Sequence, residues 1–177
     1  GQAFSASVAN EVEDVPGVAQ VARVRGALVQ LDGDRDFATG VEPDRIADVA
    51  RPDVTTGSLT DLDATSAAIS TDYAAEKNLA VGSTVTIGYA GEETEATVVA
   101  TYVADSVLGS DLTMSLEGFD ALGVPPTDRT VYVVAQPGAD RAALSAGLDR
   151  VVADLPTVSV NDQAEFAAEQ RKPIDQL

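Results

Sequence analysis

Residues 69–103 read ISTDYAAEKNLAVGSTVTIGYAGEETEATVVATYV. The apolar segment Ala67, Ala68 and Ile69 runs into a short helix, with Thr71 as the expected N-cap and Asp72 in the first turn, where a carboxylate meets the positive end of the helix dipole. The helix is expected to end near Asn78. Val85, Ile87 and Tyr89 then alternate as strand residues do, Gly91 and its neighbours supply a turn, and Ala96–Val103 returns as a second strand. Strand, helix and hairpin in this order give a mixed α+β domain.

The same stretch resembles the extracytoplasmic domain of FtsX-like (MacB-type) ABC-transporter permeases. Those domains carry a pattern of the form I-S-x-x-x-A-x-x-x-x-L-x-V-G-x-x-V-x-I, a turn, and x-V-V-G-x-x. Ile69-Ser70, Leu79, Val81-Gly82, Val85 and Ile87 follow it, and Ala100 stands where the family often has Gly. The resemblance implies a two-lobe domain, with a porter-like βα lobe from both chain ends (1–45 and 112–177) and a small β-rich lobe (46–111) inserted between them. It also implies a cell-membrane protein whose domain lies on the extracytoplasmic face. Its partners would be a separate cytoplasmic ATP-binding subunit, a second permease copy, and an extracytoplasmic protein or substrate.

The bulk composition excludes several alternatives. The 177 residues and 45% hydrophobic content suffice for a buried core. No apolar run approaches the roughly 18 residues of a bilayer span. Gly1-Gln2 and a helical pattern running to Leu177 read as a piece cut from a longer chain. There is no Cys, hence no disulfide, and no His, hence no Ser-His-Asp or Cys-His catalysis and no His-ligated zinc. Eleven basic against 29 acidic residues give a net charge of −18. Such a surface repels nucleic acid, and it reads mainly as the mark of an acidic proteome.

Outward from the central stretch, residues 3–15 form an expected amphipathic helix with Phe4, Val8, Val12 and Val15 on one face and Glu11, Glu13 and Asp14 toward the other. Pro16-Gly17 ends it. Residues 18–31 read as a strand, Asp32-Gly33-Asp34 as a turn, residues 36–42 as the partner strand, and DRIADVA after Pro43 as a short helix. Residues 51–66 and 104–111 read as loops. LTMS (112–115) is an expected strand and LEGFDALG (116–123) a helix. Val131–Ala135 has the length of a buried strand. Asp140 caps a helix to Asp154 that carries Leu144, Leu148, Val151 and Leu155. Val158–Val160 is a further short strand, and Asp162-x-x-Glu165 opens a last helix with Phe166, Gln170, Ile174 and Leu177 along it.

Candidate chemistry is sparse. Asp32, Asp34 and Asp36 have the spacing that opens a calcium loop, but positions six and twelve hold Phe37 and Pro43 instead of Gly and Glu, so a solvated turn is the better reading. Tyr73 and Lys77 have the Y-x-x-x-K spacing that could lower a phenol pKa, yet no Gly-rich strand–turn–helix precedes them. Glu92, Glu93 and Glu95 read as a solvated face, and aromatics for sugar stacking make up only 5% with no Trp. No P-loop is present. Lys77 and Lys172 are the only lysines, without S-x-x-K spacing. Arg171-Lys172-Pro173 would suit a position near lipid headgroups if a membrane span followed, and equally the salt-bridged end of a surface helix. No catalytic, cofactor-binding or metal residue is assigned and no cofactor is expected. The expected function is to relay ATP-driven motion through the end helices, 3–15 and 163–177. Gly or Pro at Ala167 or Ala168 is expected to uncouple that motion. The alternatives are an exported module that binds a peptide or lipid, and an enzyme built on Tyr73 and Lys77.

Overall fold

A computed structural model describes residues 4–155. The chain starts with β1 (Phe4–Ser5) and α1 (Ser7–Glu13), followed by the hairpin β2 (Val18–Leu31) and β3 (Asp34–Val41) and by α2 (Pro43–Val49). Then come β4 (Val54–Gly57), a 3-10 turn (Leu59–Asp61), β5 (Ser66–Ser70), α3 (Thr71–Lys77), β6 (Thr84–Tyr89) and β7 (Glu92–Tyr102). The last part holds β8 (Leu112–Ser115), α4 (Leu116–Leu122), β9 (Thr127–Asp128), β10 (Thr130–Ala135) and α5 (Arg141–Val151). The mixed α+β class is the one the sequence implies. The expected strand at 158–160, the helix from 162 and Arg171-Lys172 lie outside the described residues.

Most of the strands form a closed ring. β2 pairs with β3, β3 with β8, β8 with β5, β5 with β7, β7 with β6, and β6 back with β2 through Gln30↔Gly88 and Leu31↔Ile87. Alternate residues of each strand point inward. Ala27, Val29 and Leu31 of β2, Ala67 and Ile69 of β5, Val85 and Ile87 of β6, and Leu112 and Met114 of β8 thus share one core. Tyr73 of α3 and Phe119 of α4 complete it. Phe119 packs so closely on β3 that a Cβ at Gly40 would lie 2.6 Å from its ring, so only glycine fits there.

Two strands flank the ring, with β10 on β2 and β4 on β7. A second cluster lies outside the wall, where Ala22, Val24, Val41, Ala68, Ala100 and Tyr102 are covered by Ile46 of α2, Leu59 of the 3-10 turn and Leu108. A third sits at one end, where Val8 and Val12 of α1 and Val15 meet Val18 and Val21 of β2 and Leu144 and Leu148 of α5.

Several local expectations shift. Phe4 lies in β1, not on α1, because the first residues pair with β9. α1 is correspondingly shorter than residues 3–15, while Val8, Val12 and Val15 do share the buried side. The cap of α3 is Ser70, whose hydroxyl accepts from the Tyr73 amide at 3.1 Å, with Thr71 the first helical residue. Asn78 closes that helix in the left-handed conformation (φ 55°). Residues 51–66 hold β4 and the 3-10 turn instead of loop alone, and β3 and β7 start earlier than expected, at Asp34 and Glu92. Val131–Ala135 is half-buried because β10 pairs only with β2. Asp140 does cap α5, accepting from the amides of Ala142 and Ala143, but that helix ends at Val151.

Candidate functional site

The residues singled out by motif serve the fold. Asp32 occupies the left-handed turn (φ 50°) between β2 and β3. One carboxylate oxygen accepts from the Thr86 amide at 2.9 Å and the other from the Tyr73 hydroxyl at 2.6 Å, so the turn is stitched to β6 and α3. Asp36 accepts from the Phe37 amide at 2.7 Å. Burial, then the nearby Asp111 carboxylate, raises its pKa against the opposing pull of the Phe37 amide. Tyr73 is only 7% exposed, and burial together with its Asp32 acceptor pushes its pKa up, so the phenol keeps its proton instead of acting as a base. Lys77 is exposed, as are Glu92, Glu93 and Glu95. Among the described residues no cluster of His, Cys, Asp or Glu could hold a metal ion.

The densest arrangement of buried charge lies where the end cluster joins the ring. Asp128 of β9 is 0% exposed, and Arg25 of β2 is 6% exposed and donates its Nε to Asp128 Oδ1 at 2.8 Å. The second carboxylate oxygen has no hydrogen bond and sits 3.9 Å from Arg23 Nε. A charge pair this deep is costly to desolvate and holds only while both partners stay in place. β9 also pairs with β1, Phe4 opposite Asp128, so the pair ties the first described residues of the chain to β2.

Two further arginines fasten α1. Arg23 donates to the Asn10 side chain, and Arg45 of α2 bonds Glu13 at 2.8 Å and the Val21 carbonyl at 3.0 Å. Glu13 is therefore half-exposed and engaged rather than simply solvated. On the other side α5 presses against Val15, since a Cβ on Gly147 would come within 2.7 Å of its side chain. α1 is thus held by β2, α2 and α5 together. The sequence carries part of this signal. Arg23 and Arg25 interrupt an apolar strand, V-A-R-V-R, where an unpaired cation would be prohibitive. Nothing near Asp128 marks it as their partner, because it stands 103 residues from Arg25 in the sequence.

Two clefts open on the outer wall. The larger, about 390 Å³, is lined by Arg25, Phe37, Thr39, Ser110, Asp111 and Arg129 among others. The smaller, about 280 Å³, is lined by Leu28, Gln30, Arg35, Tyr89, Glu92 and Glu93 among others. Among the described residues no helix is long and apolar enough to cross a membrane.

The family model described as the MacB-like periplasmic core domain matches residues 1–151. Solved structures share the fold. The extracellular domain of the noncanonic ABC-type transporter YknZ from Gram-positive bacteria aligns with a TM-score of 0.64 at 16% identity, covering 89% of this chain and 86% of that one. The periplasmic region of MacB from Actinobacillus actinomycetemcomitans aligns at 0.64 and 13% identity, covering 88% and 75%. A domain of a putative permease protein from Porphyromonas gingivalis aligns at 0.60 and 16%, covering 86% and 77%. No curated protein sequence matches the chain.

Proposed function

The chain belongs to the MacB-like periplasmic core domain family of ABC-transporter permeases, and on that premise we propose that it relays ATP-driven displacement of membrane helices to a partner or substrate on the outer face. The family places the domain outside the membrane in an ABC transporter, which works with an ATPase, and the domain itself is not an enzyme. In this reading the ATPase is a separate cytoplasmic subunit, and the permease works as a dimer. The cluster of α1 and α5 acts as the driven part, and the ring, with β2, β3 and β8 from 1–45 and 112–177 and β5, β6 and β7 from 46–111, carries the motion outward.

One observation carries the reading. β2 runs without interruption from Val18, in the cluster under α1 and α5, to Leu31, in the core of the ring. β2 is paired with β10 over Val18–Val24 and with β3 over Val24–Leu31, and a strand held to a neighbour along its whole length resists bending better than a loop, so a shift of α1 is passed on instead of being absorbed. Arg25 and Asp128 lock the crossing point, and Arg23 and Arg45 lock α1 to it.

The test uses the whole permease with its ATPase in a bilayer. A fluorophore at Thr94, on the exposed start of β7, reports its distance from labelled lipid headgroups with and without ATP. The unsubstituted protein is expected to show a nucleotide-dependent change. Asp128→Asn and the more exposed Arg45→Gln should each reduce that change while ATP hydrolysis continues. A Thr94 position that does not respond to nucleotide in the unsubstituted protein would overturn the relay.

A further inference from the structure

The two strands that flank the ring differ at their outer edges. β4 is four residues long, its ladder shifts register between Val54 and Thr56, and it stops at Gly57 in the left-handed region (φ 71°). Short, irregular edges of this kind resist further pairing. β10 (TVYVVA) has none of these protections. It carries no charge, proline or glycine, and it pairs regularly with β2 from Thr130 to Val134. Among the described residues nothing pairs with its other edge. Its faces are covered, Val131, Val133 and Ala135 by the end cluster and Tyr132 by the cluster under α2. What β10 lacks is a neighbouring strand.

The start of the chain is aimed at that edge. β1 pairs antiparallel with β9, Ser5 opposite Thr127 and Phe4 opposite Asp128. Only Arg129 separates β9 from β10. The Arg129 amide donates to the Val24 carbonyl at 2.8 Å, so β2 takes the inner side there and β1 lies on the outer one. Phe4 packs against the end cluster, as Val131 and Val133 do. In an antiparallel ladder each step back along one strand is a step forward along the other. The register of β1 on β9 therefore sets Ala3 opposite Arg129, Gln2 opposite Thr130 and Gly1 opposite Val131. β1 and β2 then run parallel with β10 between them, and α1 is the crossover that a parallel pair requires.

We propose that the free edge of β10 is the docking site of the chain's own first residues, with Gly1–Ala3 continuing β1 in that register. This deepens the relay of the proposed function and rests on it. Displacement of the first end segment then reaches β2 by two routes, through α1 and through a β1–β10 ladder loaded along its length. The other occupants fit less well. A second copy brings its own net charge of −18. Among the described residues no pairing leads the chain after Leu155 toward this edge.

The chain has no cysteine, so an introduced pair reports on itself alone. Opposite residues of an antiparallel pair stand about 4.5–5.5 Å apart at Cα, within the span of a disulfide. Gln2→Cys with Thr130→Cys, in the 177-residue chain oxidised by glutathione disulfide, is expected to close an intramolecular disulfide in most molecules. Ala3→Cys with Thr130→Cys is one residue out of register, which turns the two side chains to opposite faces, and its yield should be lower by about tenfold or more. Thr130 is exposed, so both variants should fold, and the unchanged amide spectrum of the ring checks it. Equal yields in the two variants, or no intramolecular disulfide in the first, overturn the proposal. So does a disulfide-linked dimer as the main product of the first variant, which would mark a second copy. Closure of Ser159→Cys with Thr130→Cys in place of the first pair would give the edge to the chain after Leu155 and overturn it as well. The yields are read without ATP or a membrane, so a failure here is separable from a failure of the relay.

Discussion

The ring and the end cluster hold themselves together in different ways. In the ring every strand has a partner on both sides, and the core residues Ile69, Val85, Ile87, Val98 and Leu112 are all 0% exposed. In the end cluster, short helices lean on one strand pair. Val8, Val12, Leu144 and Leu148 retain 5–9% exposure, and β10 contributes half-buried residues from an edge. A closed sheet supplies its own hydrogen-bond partners and tolerates little internal movement. The end cluster gains its definition from side chains that reach across, namely Arg23, Arg45, Glu13 and Asp128. The contrast suits a part that receives displacement at one end and a rigid part that carries it.

The largest expected effect tests the rigid part. Phe119→Ala removes the ring that plugs β3 over Gly40 and should cost about 3–5 kcal/mol, read as a lower urea midpoint with unchanged slope. A loss no greater than that of an exposed site would mean the ring core is not the stable unit. In the end cluster Leu148→Ala leaves a site already close to solvent, and about 2 kcal/mol is expected, the low end for such truncations. Hydrogen exchange sharpens the difference. Amides of α1 and α5 should exchange through a smaller opening free energy than those of β6 and β7. Equal protection in both regions would erase the distinction.

The caps come next. Ser70→Ala removes the acceptor for the Tyr73 amide and Asp140→Ala the acceptor for the amides of Ala142 and Ala143. Each should cost about 1 kcal/mol by thermal or urea unfolding. The Ser70 cap anchors a helix over the ring core, so its loss should spread to the protection of β5, whereas the Asp140 loss should stay within α5. The smallest effect concerns pH. The Asp36 pKa is raised in the folded state above its ordinary value of 3.8. The folded protein therefore holds that proton more tightly than the unfolded chain. Stability contributed by this group is present below the unfolded value and is lost as pH rises through the folded one. Asp36→Asn should flatten that part of the stability profile and leave the protein slightly more stable at pH 7. A variant with the profile of the unsubstituted chain would contradict the assignment.

Much of the fold was legible in the residues. The helix and hairpin of 69–103 follow from alternation at Val85 and Ile87, from Asn78 at a left-handed helix end, and from Gly91 at the turn. Local signals of this kind act within a few residues. What the sequence hid depends on distant partners. β4 (VTTG) lacks an apolar alternation because it is an edge strand, held by β7 and by hydroxyls such as Thr55 to Thr101 at 2.6 Å. Closure of the ring rests on two residue pairs between β2 and β6, too few to leave a pattern. At the junction, the arginines of β2 announced that acceptors must exist but not that Asp128 and Asn10 supply them. The exposure of Leu28 was likewise invisible, since it continues the parity of Ala22 and Val24, which are covered by α2 where Leu28 is not.

The most direct test of the relay is a distance between spin labels at Glu11 on α1 and Thr94 on β7, measured in the assembled permease without nucleotide and with ATP bound. If the end cluster and the ring move as one, that distance stays the same in both states and its distribution broadens only when Asp128→Asn unlocks the crossing point. A distance that shifts with ATP in the unsubstituted protein would place a hinge between α1 and the ring and contradict the account.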